Sequence, residues 1–173
     1  MFQDFEELLA SFNDAKVRYL IGGAHALALH ARPRATKDLD LFIDATRPNA
    51  CRVITALKAF FGGPPPSYVT VDALLDPNVI IQLGVAPVRV DILSGFATIT
   101  FRQAWMGRKD AVFGVVPAHY LGREHLIQEK LHFDRPQDRA DVAALEAPMR
   151  AKHSTSKPSS GPTPKTARRT RRR

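Results

Sequence analysis

Residues 38–43 read Asp-Leu-Asp-Leu-Phe-Ile, an acid-apolar alternation that runs into a purely apolar end. Side chains in a strand alternate with period 2, so a strand here sends Asp38 and Asp40 out of one face and Leu39 and Leu41 out of the other. One face is then core and the other acidic. The two carboxylates leave the strand about 6.5–7 Å apart at their Cα atoms, near enough to share or bracket hard metal cations. Like charges aimed at one spot oppose folding unless a cation is present. The competing reading is a solvated sheet edge, with Asp44 a third ordinary surface acid.

The rest of the chain supplies the elements around that strand. Phe2, Phe5, Leu8, Leu9 and Phe12 fall at helical spacing and predict an amphipathic helix over 2–13. Val17–Ile21 is a short apolar strand ending at Gly22-Gly23, and 24–30 is helical in composition until Arg32-Pro33-Arg34 breaks it. A helix is expected over 48–60, with Val53, Ile54, Leu57, Phe60 and Phe61 on one side, and Gly62-Gly63-Pro64-Pro65-Pro66 is a loop. Two β-rich runs, 78–83 and 88–93, are separated by Gly84 and Pro87 and predict neighbouring strands. Residues 112–116 predict one further strand. Helices are expected over 123–132 and 136–145, the second opening on Pro136. The fold class expected is α/β (α+β): a small mixed sheet flanked by helices.

Charge divides the chain. Nine of the 25 Lys and Arg lie after Glu146, leaving sixteen against all seventeen acids, a net of −1 for residues 1–146 within a total of +8. Residues 1–146 are therefore expected to form one domain and residues 147–173 a disordered basic tail, since Ser, Thr, Pro, Lys and Arg bury too little to offset ordering entropy. The tail is expected to contact nucleic-acid phosphates or else to act as a solubilising segment; without aromatics it is not expected to read bases. The single cysteine, Cys51, excludes an internal disulfide, fits a reducing cytoplasmic setting, and is expected to be a buried small residue. Acids in residues 4–7 stand where a secretory signal carries a basic flank, and no apolar run reaches the roughly 20 residues of a membrane helix, so no membrane partner is expected.

Two further features bear on chemistry. Gly22-Gly23 between a strand and a helix reads either as a tight turn or as an anion site, where backbone N–H groups and a helix N-terminus meet a phosphate. In Val88-Arg89-Val90-Asp91-Ile92, Asp91 shares a face with Arg89. It is either half of an Arg-Asp pair or a third carboxylate delivered from an adjacent strand. Three such acids would suit two Mg²⁺ ions on a triphosphate, and the third can take a proton from an attacking hydroxyl. His25, His30, His119, His125 and His132 lack metal-ligand spacing and are expected at the surface or in the polar core. The chain has neither a Gly-x-Ser-x-Gly elbow nor a Gly-Lys-Ser/Thr phosphate loop.

Taken in order, Gly22-Gly23, a helix, Arg34-Ala35-Thr36-Lys37-Asp38-Leu39-Asp40-Leu41 and Val90-Asp91-Ile92 resemble the nucleotidyltransferase superfamily of DNA polymerase beta. Lys130 followed by Gln137-Asp138-Arg139-Ala140-Asp141 is similar to the ending of its small prokaryotic branch, which includes the toxin-type enzymes of abortive-infection systems. The resemblance covers roughly 17–145. It implies that Asp38, Asp40 and Asp91 bind metal and carry catalysis, and that Gly22 and Gly23 hold the triphosphate. It also implies that Arg34 and Thr36 serve the phosphates or brace the loop, and that Lys130 reaches the nucleotide; the competing readings are a solvated helix face for Lys130 and ordinary helix acids for Asp138 and Asp141. Two departures stand out: Gly23 occupies a position where many members carry Ser, and the fourteen residues between Gly23 and Asp38 are a long spacer.

The implied activity is Mg²⁺-dependent transfer of a nucleoside monophosphate from an NTP to a hydroxyl on RNA (tRNA first), on a protein or on a small molecule, in a cytoplasmic, toxin–antitoxin setting. The alternative is a catalytically silent nucleotide-binding or antitoxin module.

Overall fold

The computed structural model describes residues 2–33, 35–85 and 88–147. Arg34 and the basic segment 148–173 lie outside the described residues, and with them the expectations placed on both. The described elements run α1 (Phe2–Asp14), β1 (Tyr19–Ile21), α2 (Gly23–His30), β2 (Asp38–Ile43), α3 (Arg47–Phe61), α4 (Val71–Leu75), β3 (Ile80–Val85), β4 (Val88–Leu93), α5 (Phe101–Met106), β5 (Lys109–Phe113), β6 (Val116–Tyr120), α6 (Arg123–Phe133) and α7 (Pro136–Glu146).

The strands form one six-stranded mixed sheet in the order β3-β4-β2-β1-β6-β5. β2 pairs parallel with β4 and β1 parallel with β6, while the β1–β2, β3–β4 and β5–β6 pairs are antiparallel. The alternation of β2 is realised as expected: Leu39, Leu41 and Ile43 are buried and Asp38, Asp40 and Phe42 only partly so. The apolar set joins one core with Phe5, Leu8, Leu9 and Phe12 of α1 and Val53 and Leu57 of α3. Each fully buried Leu or Phe contributes about 1.5–3 kcal/mol of transfer free energy, so this face fixes the register of β2 and thereby the direction of its acids.

Local signals end the elements. Gly62 terminates α3 in a left-handed conformation (φ 64°) that also lets its N–H bond back to the helix. Thr100 and Gln103 cap α5 reciprocally, and the Thr70 hydroxyl caps α4.

The structure departs from the sequence reading in several places: Gly84, expected between two strands, lies inside β3 and pairs with Arg89. Residues 112–116 are not one strand: Val112 and Phe113 end β5, Gly114 (φ 58°) and Val115 form the turn, and Val116 opens β6 of a hairpin. The flanking strands, Lys109-Asp110 and Pro117-Ala118-His119, are too polar to announce themselves, because β5 is an edge strand with one side wet. Helices α4 and α5 span five and six residues, too short for a hydrophobic period, and depend on their caps. Cys51 is exposed rather than buried, on the outer side of α3. Among the described residues no helix is long and apolar enough to cross a membrane.

Candidate active site

The parallel pairing of β2 with β4 decides where the acids meet. Its register sets Asp40 opposite Asp91 and Asp38 opposite Arg89. Three carboxylates and one guanidinium therefore form a quartet on one face of two adjacent strands, neighbours about 4.8 Å apart across the pair and about 6.6 Å along it. Arg89 spans two of the acids: its Nε lies 2.9 Å from Asp91 Oδ1 and its Nη2 3.4 Å from Asp38 Oδ2. Asp91 is buried, while Asp38 keeps contact with solvent.

Asp40 occupies the least favourable position. Burial, then the nearby charges of Asp91 and Asp38, push its carboxyl up to about 6, against partial relief from Arg89 and Lys130. A carboxylate pushed up first by burial and then by two like charges is one that a bound cation would stabilise.

The Gly22-Gly23 turn closes over this acid. Gly22 N–H donates to the Asp40 carbonyl at 2.9 Å and so ties the start of α2 to β2. Gly23 has φ +52°, and a Cβ there would run into the Asp40 carboxylate; a Cβ on Gly22 would meet the Phe42 ring. Both glycines are thus required by close approach to β2, and Gly23 by its positive φ as well.

Thr36 prepares the strand. Its Oγ1 accepts from Asp38 N–H (3.3 Å) and donates to Asp38 O (3.2 Å), bracing the approach to β2. Lys130 on α6 is buried, its ammonium 2.6 Å from Asp141 Oδ2 and 3.2 Å from Asp138 Oδ1. Gln137 donates to the other Asp141 oxygen at 3.1 Å. Neither Lys130 nor Asp141 is a solvated helix residue: they join α6 to α7 beside the acid quartet.

One residue of this region carried no sequence signal. Glu129 on α6 is buried and accepts from Ala97 N–H (2.9 Å), Thr98 N–H (2.8 Å) and the Thr98 hydroxyl. It holds the loop that follows β4, where Phe96 stacks on Phe42 with centroids 4.3 Å apart. The histidines lie elsewhere: His25 packs against Phe5 and Phe113, and His119 pairs with Asp110.

The donor set suits a hard divalent cation. Carboxylate oxygens are the ligands such ions take, and Asp91 Oδ1 is a buried oxygen with no hydrogen bond of its own. Among the described residues no three His, Cys, Asp or Glu side chains are drawn together closely enough to hold a metal as they stand.

No protein-family model and no curated protein sequence matches the chain. Solved structures do. The crystal structure of ANT(2″)-Ia in complex with adenylyl-2″-tobramycin aligns with a TM-score of 0.54 at 12% identity, over 83% of this chain and 86% of that one. The solution structure of the antibiotic-resistance factor ANT(2″)-Ia aligns with a TM-score of 0.52 at 14% identity, over 83% and 80%. An antigenic nucleotidyltransferase-like protein from Paracoccidioides brasiliensis aligns with a TM-score of 0.51 at 15% identity, over 83% and 74%. The chain has the nucleotidyltransferase fold.

Proposed function

We propose that this protein transfers a nucleoside monophosphate from an NTP to a hydroxyl acceptor. The observation that carries the reading is the register pairing of Asp40 with Asp91 directly beneath the Gly22-Gly23 turn, which sets paired carboxylates against a backbone-lined phosphate approach. In this reading Asp38, Asp40 and Asp91 hold Mg²⁺, which when bound neutralises charge on the triphosphate. The acceptor oxygen attacks the α-phosphorus in line, a new O–P bond forms, and the bond to the bridging oxygen breaks to release pyrophosphate. Asp91 takes the acceptor's proton. The N–H groups at the start of α2 face the phosphates, and Lys130 contributes positive charge from the α6 side.

The acceptor class follows from test rather than from geometry. RNA, with tRNA first, and protein hydroxyls are the acceptors expected; an aminoglycoside belongs on the panel because the ANT(2″)-Ia structure contains an adenylylated one. The assay is transfer of label from α-³²P NTP with Mg²⁺. Wild type is expected to label one acceptor, and Asp38→Asn or Asp40→Asn to lose about 10³-fold or more of the rate, the scale of removing a principal charge-stabilising group. Equal labelling by the variants sinks the reading. If the acceptor is RNA, expression is further expected to arrest growth in a manner relieved by Asp40→Asn, as a toxin component would. The silent-module reading draws on Arg89, which already occupies cation space between the acids; it is favoured if NTP binds with Mg²⁺ but no acceptor is labelled.

A further inference from the structure

We propose that Arg89 is a positioning residue of this site, a resident counter-ion that holds Asp38 and Asp91 in place until a divalent cation displaces it. The inference rests on the metal-site reading above and adds a competitor to it. Arg89 is the register partner of Asp38 and lies two residues before Asp91 on the same strand, so its side chain rises among all three acids. Its approaches at 2.9 Å and 3.4 Å go to two different carboxylates, one nitrogen to one oxygen each.

This is a weak way to use a guanidinium. A fork-to-fork pair makes two parallel hydrogen bonds to one carboxylate, whereas here Nε and Asp91 Oδ1 are in ionic contact yet both buried without an aligned hydrogen bond. The Asp91 contact is Coulombic and loosely directed, and the one hydrogen bond, from Nη2 to Asp38 Oδ2, is long at 3.4 Å, so Arg89 exchanges readily for a stronger cation. A route out is present, because the Arg89 side chain is 34% exposed and Asp38 44%, against 12% for Asp91. The neighbouring cation, Lys130, is committed to Asp138 and Asp141. Three acids balanced by one guanidinium leave negative charge that a divalent ion would complete. No donor trio is closed among the described residues, and Arg89 contacts two of the three acids; with it swung to solvent, Asp38 and Asp91 are free to join Asp40.

The test measures Mn²⁺ binding to the full chain, reading free aquo-Mn²⁺ by its electron paramagnetic resonance signal, with no nucleotide and no turnover. Arg89→Ala and the stem-preserving Arg89→Gln are expected to bind Mn²⁺ about tenfold tighter than wild type, because a competing unit charge a few ångströms away is removed. Arg89→Lys keeps the charge and is expected to stay close to wild type. Arg89→Gln carries the test if Arg89→Ala does not fold. Affinity that is unchanged or weaker in the folded neutral variant overturns the proposal, as does an absence of Mn²⁺ binding in every variant. The label-transfer assay separates the two readings: transfer by wild type with unchanged Mn²⁺ affinity in Arg89→Gln removes only the role of Arg89, and tightened Mn²⁺ binding without transfer to any acceptor removes only the transferase.

Discussion

Asp40 sits where charge, burial and backbone all press on one side chain. Its carboxyl is raised from 3.8 to about 6, so between those values the folded chain binds a proton that the unfolded chain does not. Stability therefore falls as pH rises through this window, and the penalty is fully present above pH 6. Asp40→Asn is expected to stabilise the metal-free protein by about 1–2 kcal/mol at pH 7.5, after allowing for partial solvent screening. The gain should shrink toward zero by pH 4, and transfer activity should be lost. Thermal melts of both proteins in chelator across pH 4–8 check this; a constant difference across that range contradicts it. Gly23 is constrained from the same side. Gly23→Ala meets both a positive φ and the Asp40 carboxylate, so a loss of about 2 kcal/mol or more is expected in urea unfolding. A cost of a few tenths would mean that the turn relaxes freely.

At the level of elements, the site is a junction between β2, β4, α2 and the α6–α7 pair. Lys130 ties α6 to Asp138 and Asp141 of α7, and Asp141 is only 3% exposed. Lys130→Met removes the cation and leaves buried carboxylates behind, which is expected to cost about 3–5 kcal/mol. A urea midpoint equal to that of wild type would mean that Lys130 acts on nucleotide alone. The strands and helices with strong periods were legible before folding: residues 88–93 and 123–132 agree with β4 and α6 to within a residue. The β5–β6 hairpin was not, because its strands have one wet side and its turn signal, Gly114, sits inside an apolar run. Asp38, Asp40 and Asp91 stood out as strand acids, yet their convergence depended on the relative register of two strands 51 residues apart in the chain. The Glu129 clamp had no sequence signature, since its partners are backbone N–H groups of a loop that only the fold brings near.

Over the whole molecule, charge is sorted by position: residues 1–146 carry −1 and nine Lys and Arg follow them. If the acceptor is a nucleic acid, the basic segment is expected to supply much of the affinity. Deleting 147–173 should weaken RNA binding and flatten its salt dependence by about 0.7 in log–log slope for each single-strand phosphate that is no longer neutralised. Fluorescence anisotropy over a salt series measures both, and an unchanged slope assigns RNA binding to residues 1–146. The sequence by itself determined the mixed α/β class, the face on which Asp38 and Asp40 emerge, and the separation of a nearly neutral part from a basic one, because period-2 alternation and charge are local properties. Only the tertiary structure decided that Asp91 stands beside Asp40, that Arg89 lies among the acids, that Gly23 must lack a side chain, and that Lys130 is buried against α7. Each of those depends on strand register and helix docking, which are fixed by burial of the opposite, apolar face rather than by the functional residues themselves.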